Sequence, residues 1–149
     1  MSTRARKVEE AAYRLDDQIG YLLGRAQAVA LSNLRHNVGD LDLTPPQLGA
    51  ILKLKELGQV SQNELGRQSG MKPATVHGVI QRLQKRGLVD SSPSAKDQRR
   101  RLVFLTVAGK KMAATLAGHS QEAAEKTLSP LAIAEQDMLN DLLHRVIAG

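Results

Sequence analysis

Residues 61–89 read SQNELGRQSGMKPATVHGVIQRLQKRGLV, and this stretch predicts how the chain folds. Ser61 is a favourable helix N-cap, and Glu64 three positions later completes the pattern of a capping box. Gly70 can end this short helix. Pro73 suits the first turn of a second helix, because the N–H that proline lacks would have no partner there. The pattern predicts two helices joined by a tight turn.

The second helix is predicted to have one apolar stripe, formed at helical spacing by Val76, Val79, Ile80 and Leu83. Its other faces carry polar, basic or small residues, namely Thr75, His77, Gly78, Gln81, Arg82 and Lys85. Because the apolar stripe docks on the core, we expect the remaining faces to be available for contact with a partner.

A β-hairpin is predicted to follow this helix. Residues 88–89 favour a brief strand, residues 91–97 a polar turn rich in serine, and residues 102–105 a returning strand. Helix, turn, helix and hairpin in this order are typical of a winged helix-turn-helix. The predicted fold class is therefore mainly α with a small β-wing.

Basic charge is concentrated on this unit. Residues 71–101 contain eight Lys and Arg against two Asp, a net charge of +6. The whole chain has 21 Lys and Arg against 15 Asp and Glu, also +6, so the remainder is neutral. A basic helix followed by a basic hairpin is expected of a duplex-DNA-binding protein, because neutralising phosphates releases counterions. A hairpin that is basic only for solubility is the alternative.

The chain resembles the MarR family of bacterial transcriptional regulators over essentially its whole length, on the segments SQNELG (61–66), RLQKRGLV (82–89) and DQRRRLVFLTVAG (97–109). The resemblance implies that the helix beginning near Lys72 enters the major groove and that Arg99 of the wing reaches the minor groove. It also implies that Asp97 holds the wing arginines in place. Many relatives have a small polar residue where His77 stands and a basic one where Gly78 stands, so the base contacts are expected to differ.

The predicted DNA-contacting residues belong to the two helices of the reading unit and to the wing. They are Ser61, Lys72, Pro73, Thr75, His77, Gly78, Gln81, Arg82, Asp97, Arg99, Arg100 and Arg101. We expect the polar side chains of the second helix to face the major groove and Gly78 to allow close approach of the backbone. Arg100 and Arg101 are expected mainly to contact phosphates.

Composition limits the other functions. A chain of 149 residues can form one domain, and 2% aromatic residues with no Trp disfavours stacking on single-stranded nucleic acid. The absence of Cys excludes a thiol switch, a disulfide framework and a Cys-based zinc site. The four histidines are scattered and no enzyme motif is recognisable, so we predict neither catalysis nor a metal or other cofactor. No signal peptide or membrane span is recognisable, and we expect a cytoplasmic protein without a membrane partner.

Four regions are predicted: a flexible arm (1–14), a dimerisation helix and loop (15–43), the winged helix-turn-helix (44–106) and C-terminal dimerisation helices (107–149). The arm contains RARK at residues 4–7, which can contact DNA phosphates or be solvated. The outer helices are too apolar to stand alone. We expect them to intertwine with a second copy, so that a homodimer presents two recognition helices to a pseudo-palindromic site. A monomer with this surface folded back on itself is the alternative.

Capping signals predict three further helix starts. Thr44 with Gln47 forms a second capping-box pattern at the start of the winged unit. Thr106 can cap a long Ala-rich helix after the wing, and Ser129 with Pro130 is predicted to start the last helix.

The predicted first helix, over residues 15–38, carries a second stripe beside its apolar one, consisting of Tyr21, Arg25, Ser32, Arg35 and His36. The resemblance implies that small aromatic or anionic effectors bind where the dimerisation helices meet the DNA-reading unit. These residues are the predicted effector site, because cationic groups there can attract an anionic ligand. A solvated face or a set of intrachain ion pairs is the alternative. Two stretches, YRLDDQIGYLLGRA (13–26) and the run from SQNELG (61–66) to GVIQRL (78–83), are similar to the branch of the family that controls degradation of hydroxycinnamates and related aromatic acids. The effectors of that branch are acyl-CoA thioesters.

The sequence thus predicts a sequence-specific regulator of transcription that binds duplex DNA, as a homodimeric repressor released by a small anionic or aromatic effector. Two alternatives stay open: a constitutive, architectural DNA-binding protein without an effector, and a winged helix that binds another protein. The basic recognition helix and basic wing favour DNA over a protein partner.

Overall fold

The computed structural model describes residues 12–39 and 41–149, and the predicted basic segment at residues 4–7 lies outside them. In the described residues a 3-10 turn at Leu15–Asp17 precedes six α-helices and three β-strands. The helices are α1 (Ile19–Val38), α2 (Pro45–Leu57), α3 (Gln62–Gln68), α4 (Pro73–Lys85), α5 (Val107–Leu128) and α6 (Ile133–Ala148). The strands are β1 (Val60–Ser61), β2 (Val89–Pro93) and β3 (Arg101–Leu105). The prediction of a mainly α fold with a small β-wing is confirmed.

Helix α2 opens the winged unit and begins as the sequence predicts. Thr44 Oγ1 accepts a hydrogen bond from Gln47 N at 3.4 Å, and Gln47 Oε1 accepts one from Thr44 N at 3.1 Å. Pro45 is the first helical residue. Gly58 follows the helix with φ +76°, a conformation that costs glycine little, and so accounts for where α2 ends.

Ser61 caps α3, but the capping box predicted around it is only half formed. Ser61 Oγ accepts a hydrogen bond from Glu64 N at 3.2 Å. The Glu64 carboxylate turns the other way and accepts hydrogen bonds from Gln68 Nε2 at 3.0 Å and from Arg67 Nε at 3.1 Å. The hydrogen bond from Gln68, and to a smaller extent the one from Arg67, holds the pKa of Glu64 below its ordinary value. The prediction of a complete capping box is therefore wrong, because donors one turn further along the helix bind the Glu64 carboxylate instead.

The predicted apolar stripe of α4 is buried and lies at the centre of the core. Val76 and Leu83 are fully buried, and Val79 and Ile80 retain 3% and 4% of their exposure. Each aliphatic side chain buried in this way contributes roughly 1.5–3 kcal/mol. The neighbours of the stripe in the core come from the other elements of the winged unit and from α5: Ala50, Ile51, Leu54, Leu65, Leu88, Val89, Val103, Leu105, Ala113 and Leu116.

The wing is an antiparallel sheet with the strand order β1-β3-β2. Strands β2 and β3 pair without interruption from Val89 opposite Leu105 to Pro93 opposite Arg101. The predicted turn at residues 91–97 is therefore wrong at its start, because residues 91–93 belong to β2. The register of the whole hairpin outweighs the turn preference of single Ser and Pro residues, and Pro93 stands at the strand end, where proline is tolerated. Strand β1 is too short to produce a periodic signal.

Of the two C-terminal helices, the predicted start of α5 is correct and the predicted start of the last helix is wrong. Thr106 caps α5 as predicted, since its Oγ1 accepts a hydrogen bond from Gly109 N at 3.1 Å. The last helix does not begin at Ser129 and Pro130, because the Ser129 hydroxyl donates to Lys126 O at 2.7 Å and so closes the end of α5. Helix α6 begins at Ile133, three residues after Pro130.

The outer helices leave most of their apolar side chains uncovered in the single chain. Leu34 is the one buried residue of α1, and α6 has none, within the described residues. Helix α1 packs on α5, where Asn33 Nδ2 donates to Thr127 Oγ1 at 2.9 Å. The large apolar side chains exposed on the turn before α1, on α1 and on α6 are Leu15, Ile19, Leu22, Leu23, Val29, Ile133, Met138, Leu142, Val146 and Ile147. This is the apolar surface that the sequence predicts for dimerisation.

The contact between α5 and the wing predicts the effect of a single added methyl group. A Cβ at Gly109 would lie 1.9 Å from Leu88 O and 2.9 Å from Leu88 C. Gly109→Ala therefore has to push the backbone of α5 away from the backbone of Leu88. We expect the free energy of unfolding, measured by urea denaturation, to fall by about 1–3 kcal/mol or more.

Gly49→Ala is the matched control, because a Cβ at this position in α2 meets no heavy atom within 4 Å. It should raise the free energy of unfolding by roughly 0.5–1 kcal/mol, since alanine loses less conformational entropy in a helix than glycine. Equal stability of Gly109→Ala and the unmodified chain would contradict the close packing of α5 on Leu88.

Candidate nucleic-acid interface

Helix α4 turns its basic and polar residues away from the core. The core stripe occupies one side, so the residues between its members point outwards. Lys72 precedes the first residue of the helix and Pro73 begins it. The predicted contact residues that are exposed on this element are Lys72, Pro73, Thr75, His77, Gln81 and Arg82. We call these six residues the outward face of α4; it has the length and charge to lie in a major groove.

His77 is held in place by a neighbour on α3. Gln62 Nε2 lies 3.3 Å from His77 Nδ1, which joins the start of α3 to the outward face of α4. With Nδ1 engaged in this way, Nε2 is the ring nitrogen left to face a DNA base or phosphate. Gln62 carries no signal of this role in the sequence, because the contact depends on how α3 crosses α4.

Gly78 is half-buried beside the outward face of α4, and the space around it is open. A Cβ at this position would meet no heavy atom within 4 Å. Packing within the chain therefore does not require glycine here. Its predicted role, close approach of the backbone to DNA, stays a prediction about the complex.

Asp97 organises the tip of the wing through the backbone. Its Oδ1 accepts a hydrogen bond from Arg99 N at 3.0 Å, and its carbonyl oxygen accepts one from Arg100 N at 3.0 Å. Ser94 N donates to Arg100 O at 2.7 Å and closes the turn. The side chains of Arg99 and Arg100 remain exposed. Asp97 thus fixes the direction in which the two arginines leave the tip.

Arg101 and Ser61 both have roles within the chain. Arg101 donates from Nε and Nη2 to Ser91 Oγ at 3.3 and 3.1 Å, and from Nη2 to Ser91 O at 3.2 Å. Its guanidinium therefore joins β3 to β2. The Ser61 hydroxyl caps α3. Contact of either residue with DNA phosphates stays a prediction, and each would have to make it while keeping its partner in the chain.

A cavity of about 560 Å3 lies between the C-terminal part of α1 and the start of α2. We call it the α1–α2 cavity. Its lining is mainly apolar, with one guanidinium and one carboxylate, and consists of Leu31, Leu34, Arg35, Val38, Gly39, Leu41, Asp42, Leu43, Thr44, Pro45 and Leu48. The wall is formed by residues from two helices and the loop between them, so no single periodic pattern in the sequence identifies it.

The structure divides the five residues of the predicted effector stripe. Arg35 lines the α1–α2 cavity, whereas the other four are not among its lining residues. Arg25 lies over the Tyr21 ring, with Cζ 5.9 Å from the ring centroid, so these two residues interact with each other on α1. Ser32 and His36 are exposed.

The described residues offer neither a metal site nor a membrane segment. They contain no cluster of three or more His, Cys, Asp or Glu side chains suited to a metal ion. Likewise, no helix in the described ranges combines the length and apolar character needed to cross a bilayer.

Comparison with known proteins supplies the family. The profile of the MarR family matches residues 41–100, from the loop before α2 to the tip of the wing. The crystal structure of a probable transcriptional regulator from Pseudomonas aeruginosa is 40% identical with a TM-score of 0.78, over 89% of this chain and 99% of that one. This chain belongs to the MarR family.

Two further relatives match this MarR-family chain over nearly its whole length. BpsR from Bordetella bronchiseptica, whose DNA binding is regulated by 6-hydroxynicotinic acid, is 28% identical with a TM-score of 0.82, over 92% of this chain and 98% of that one. The HTH-type transcriptional repressor NicR from Pseudomonas putida is 27% identical over 94% of this chain and 89% of NicR. The prediction of a DNA-binding transcriptional regulator of this family is confirmed.

The two arginines of the wing should respond differently to substitution. Arg99→Ala should weaken binding to a duplex from upstream of the gene by about 1–3 kcal/mol, the value of one good groove contact. It should leave the free energy of unfolding unchanged, because no group of the described chain is hydrogen-bonded to the Arg99 side chain. Fluorescence anisotropy and urea denaturation measure the two quantities.

Arg101→Ala is the comparison, since it removes the same charge but also the hydrogen bonds to Ser91. It should lower the free energy of unfolding by about 0.5–1.5 kcal/mol. An unchanged DNA affinity of Arg99→Ala would contradict the assignment of the wing tip to the minor groove.

Proposed function

We propose that this MarR-family protein is a homodimeric repressor that binds a pseudo-palindromic operator and releases it when a small anionic aromatic ligand enters the α1–α2 cavity. The observation that carries the proposal is the cavity itself. It lies between α1, an outer helix, and α2, the first helix of the DNA-reading unit. Its volume is within the range of small-molecule sites. A ligand there contacts both parts of the protein.

The lining of the cavity supports an aromatic acid as the ligand class. Leu31, Leu34 and Leu48 offer apolar surface to a ring, while the Arg35 guanidinium can hold a carboxylate in a bidentate arrangement. BpsR is regulated by 6-hydroxynicotinic acid, which is an aromatic acid, and this supports the same ligand class for the present chain. An aryl-CoA thioester, suggested by the hydroxycinnamate branch, would place its aromatic part in the cavity and the larger coenzyme outside it.

The uncovered apolar faces of α1 and α6 support a homodimer. Val146 of α6 is 64% exposed and Ile19 of α1 is 67% exposed in the single chain. Exposed apolar side chains in this number are typical of an interface, and a two-fold dimer buries the same surface on both copies. Such a dimer presents two α4 helices to successive major-groove faces, which explains why a pseudo-palindromic operator fits.

Regulation then depends on differential affinity. The ligand must bind better to the arrangement in which the two α4 helices do not match the half-site spacing, and DNA must bind better to the other. While bound, the dimer hinders polymerase. The proposal involves no catalytic step and no cofactor, and it places the protein in the cytoplasm, where a regulator meets the chromosome.

A ligand screen tests the proposal. We expect aromatic carboxylic acids, beginning with 6-hydroxynicotinic acid, to raise the melting temperature, because a ligand that binds the folded state stabilises it. The same compounds should release DNA from upstream of the gene. Arg35→Gln should weaken binding of the ligand by a factor of about 10 or more, because it removes the charge-assisted hydrogen bonds of the guanidinium. The control His36→Gln changes the next residue, which is exposed and does not line the cavity.

The remaining outcomes distinguish the alternatives. Tight, steeply salt-dependent DNA binding with no ligand from the aromatic acids or their CoA thioesters would favour a constitutive DNA-binding protein. Absence of salt-dependent DNA binding would favour a winged helix that binds protein. Equal ligand affinity of Arg35→Gln and His36→Gln would contradict the assignment of the carboxylate to Arg35.

The dimer surface has its own test on the last turn of α6. Val146→Glu places a charge on the apolar face, so sedimentation velocity should show a shift from dimer to monomer. Ala148→Glu adds the same charge two residues later, on the opposite side of the helix, and should leave the dimer intact. A monomeric unmodified chain, or equal behaviour of the two variants, would contradict dimerisation through this face.

A further inference from the structure

The end of the recognition helix is tied to the wall of the α1–α2 cavity by one side chain. Arg86, the residue directly after α4, donates from Nη1 to Asp42 O at 2.8 Å and from Nη2 to Leu41 O at 3.2 Å. Both carbonyl groups belong to the loop between α1 and α2, and both residues line the cavity. The contact joins positions 44 and 45 residues apart in the chain.

The loop segment held by Arg86 has an unusual backbone conformation. Asp42 has φ +51°, and it is the one non-glycine residue with positive φ in the described ranges. The left-handed region is unfavourable for most side chains, although Asp tolerates it better than most. A segment in this conformation persists when its surroundings hold it, and two hydrogen bonds from a guanidinium do so here.

The described loop residues from Leu41 to Thr44 form the part of the cavity wall that lies between the two helices. Leu41 and Leu43 are partly buried against the core, as are Val38 of α1 and Leu48 of α2. We expect a ligand that enters between α1 and α2 to displace this loop more readily than either helix, because each helix is held by its own backbone hydrogen bonds. Arg86 at the end of α4 is hydrogen-bonded to the same loop. A displacement of the loop must therefore either move the end of α4 or break the two hydrogen bonds.

We propose that Arg86 is the positioning residue that transmits occupancy of the α1–α2 cavity to the recognition helix. The inference rests on the proposed effector function of that cavity. In the ligand-free protein Arg86 holds the end of α4 at the position set by the loop. Ligand binding shifts the loop and, through Arg86, the angle of α4, which changes how the two recognition helices match the operator.

The opposing possibility is that Arg86 serves only as a basic group near DNA phosphates. Lys85 separates the two roles, because it is exposed, adjacent and equally charged, and within the described chain it makes no hydrogen bond to the loop. Arg86→Gln and Lys85→Gln therefore remove the same charge from the same end of α4. Arg86→Lys keeps the charge but replaces the two-pronged donor with a single ammonium group.

The coupling is measured as the ratio of DNA affinities without and with saturating 6-hydroxynicotinic acid, in the full-length protein. Arg86→Gln should retain ligand binding but reduce this ratio by a factor of about 2 to 30, the effect of mutations along coupling networks. Lys85→Gln should leave the ratio unchanged, and Arg86→Lys should lie between. Equal ratios for Arg86→Gln and Lys85→Gln would overturn the proposal.

Hydrogen exchange tests the connection without a ligand and so separates it from the proposed function. Arg86→Gln should speed amide exchange both in residues 41–44 and in the last turn of α4, and Lys85→Gln should speed neither. Faster exchange in only one of the two segments would overturn the role of Arg86. If 6-hydroxynicotinic acid leaves DNA binding of the unmodified chain unchanged, that ligand class fails, while the exchange result still decides the connection.

Discussion

Burial of the apolar side of α4 is the interaction on which the rest of the structure depends. Four aliphatic side chains of α4, Val76 to Leu83, fill a core to which α2, α3, the strands and α5 all contribute. Burial of this stripe fixes the rotation of α4 about its axis. The same rotation turns His77, Gln81 and Arg82 outwards as one surface. Stability and DNA recognition therefore share one helix, and a change in the packing of α4 would alter both.

The outward face of α4 and the wing are held by short-range contacts of different kinds. Gln62 orients the His77 ring from α3, while Asp97 shapes the wing tip through the backbone amide of Arg99. Arg86 connects the end of α4 to the loop beside the α1–α2 cavity. The reading surface is thus positioned from three directions, by α3, by the hairpin and by the cavity loop. Of these, the cavity loop is the one that lines the proposed ligand site.

Sequence patterns were sufficient where a local interaction decides the structure and no neighbouring group competes for it. The capping boxes and helix starts depend on residues within one turn of each other, and the cap at Thr44 and the stripe of α4 are confirmed for that reason. Predictions were wrong where a competing neighbour takes the group concerned. The Glu64 carboxylate binds Gln68 and Arg67, and the Ser129 hydroxyl binds Lys126 O. Strand pairing likewise extends β2 into the predicted turn.

By itself the sequence determined the winged helix-turn-helix and its basic surface, because periodicity, capping and charge are properties of neighbouring residues, and its motifs carried the resemblance to the MarR family. Only the tertiary structure revealed the α1–α2 cavity and the contact of Arg86 with its wall. The stripe from Tyr21 to His36 is continuous on α1, yet only Arg35 among its five residues lines the cavity. The rest of the wall comes from α2 and the loop, and Arg86 reaches it from 44 residues away. Such contacts arise from how helices pack, which no local pattern in the chain specifies.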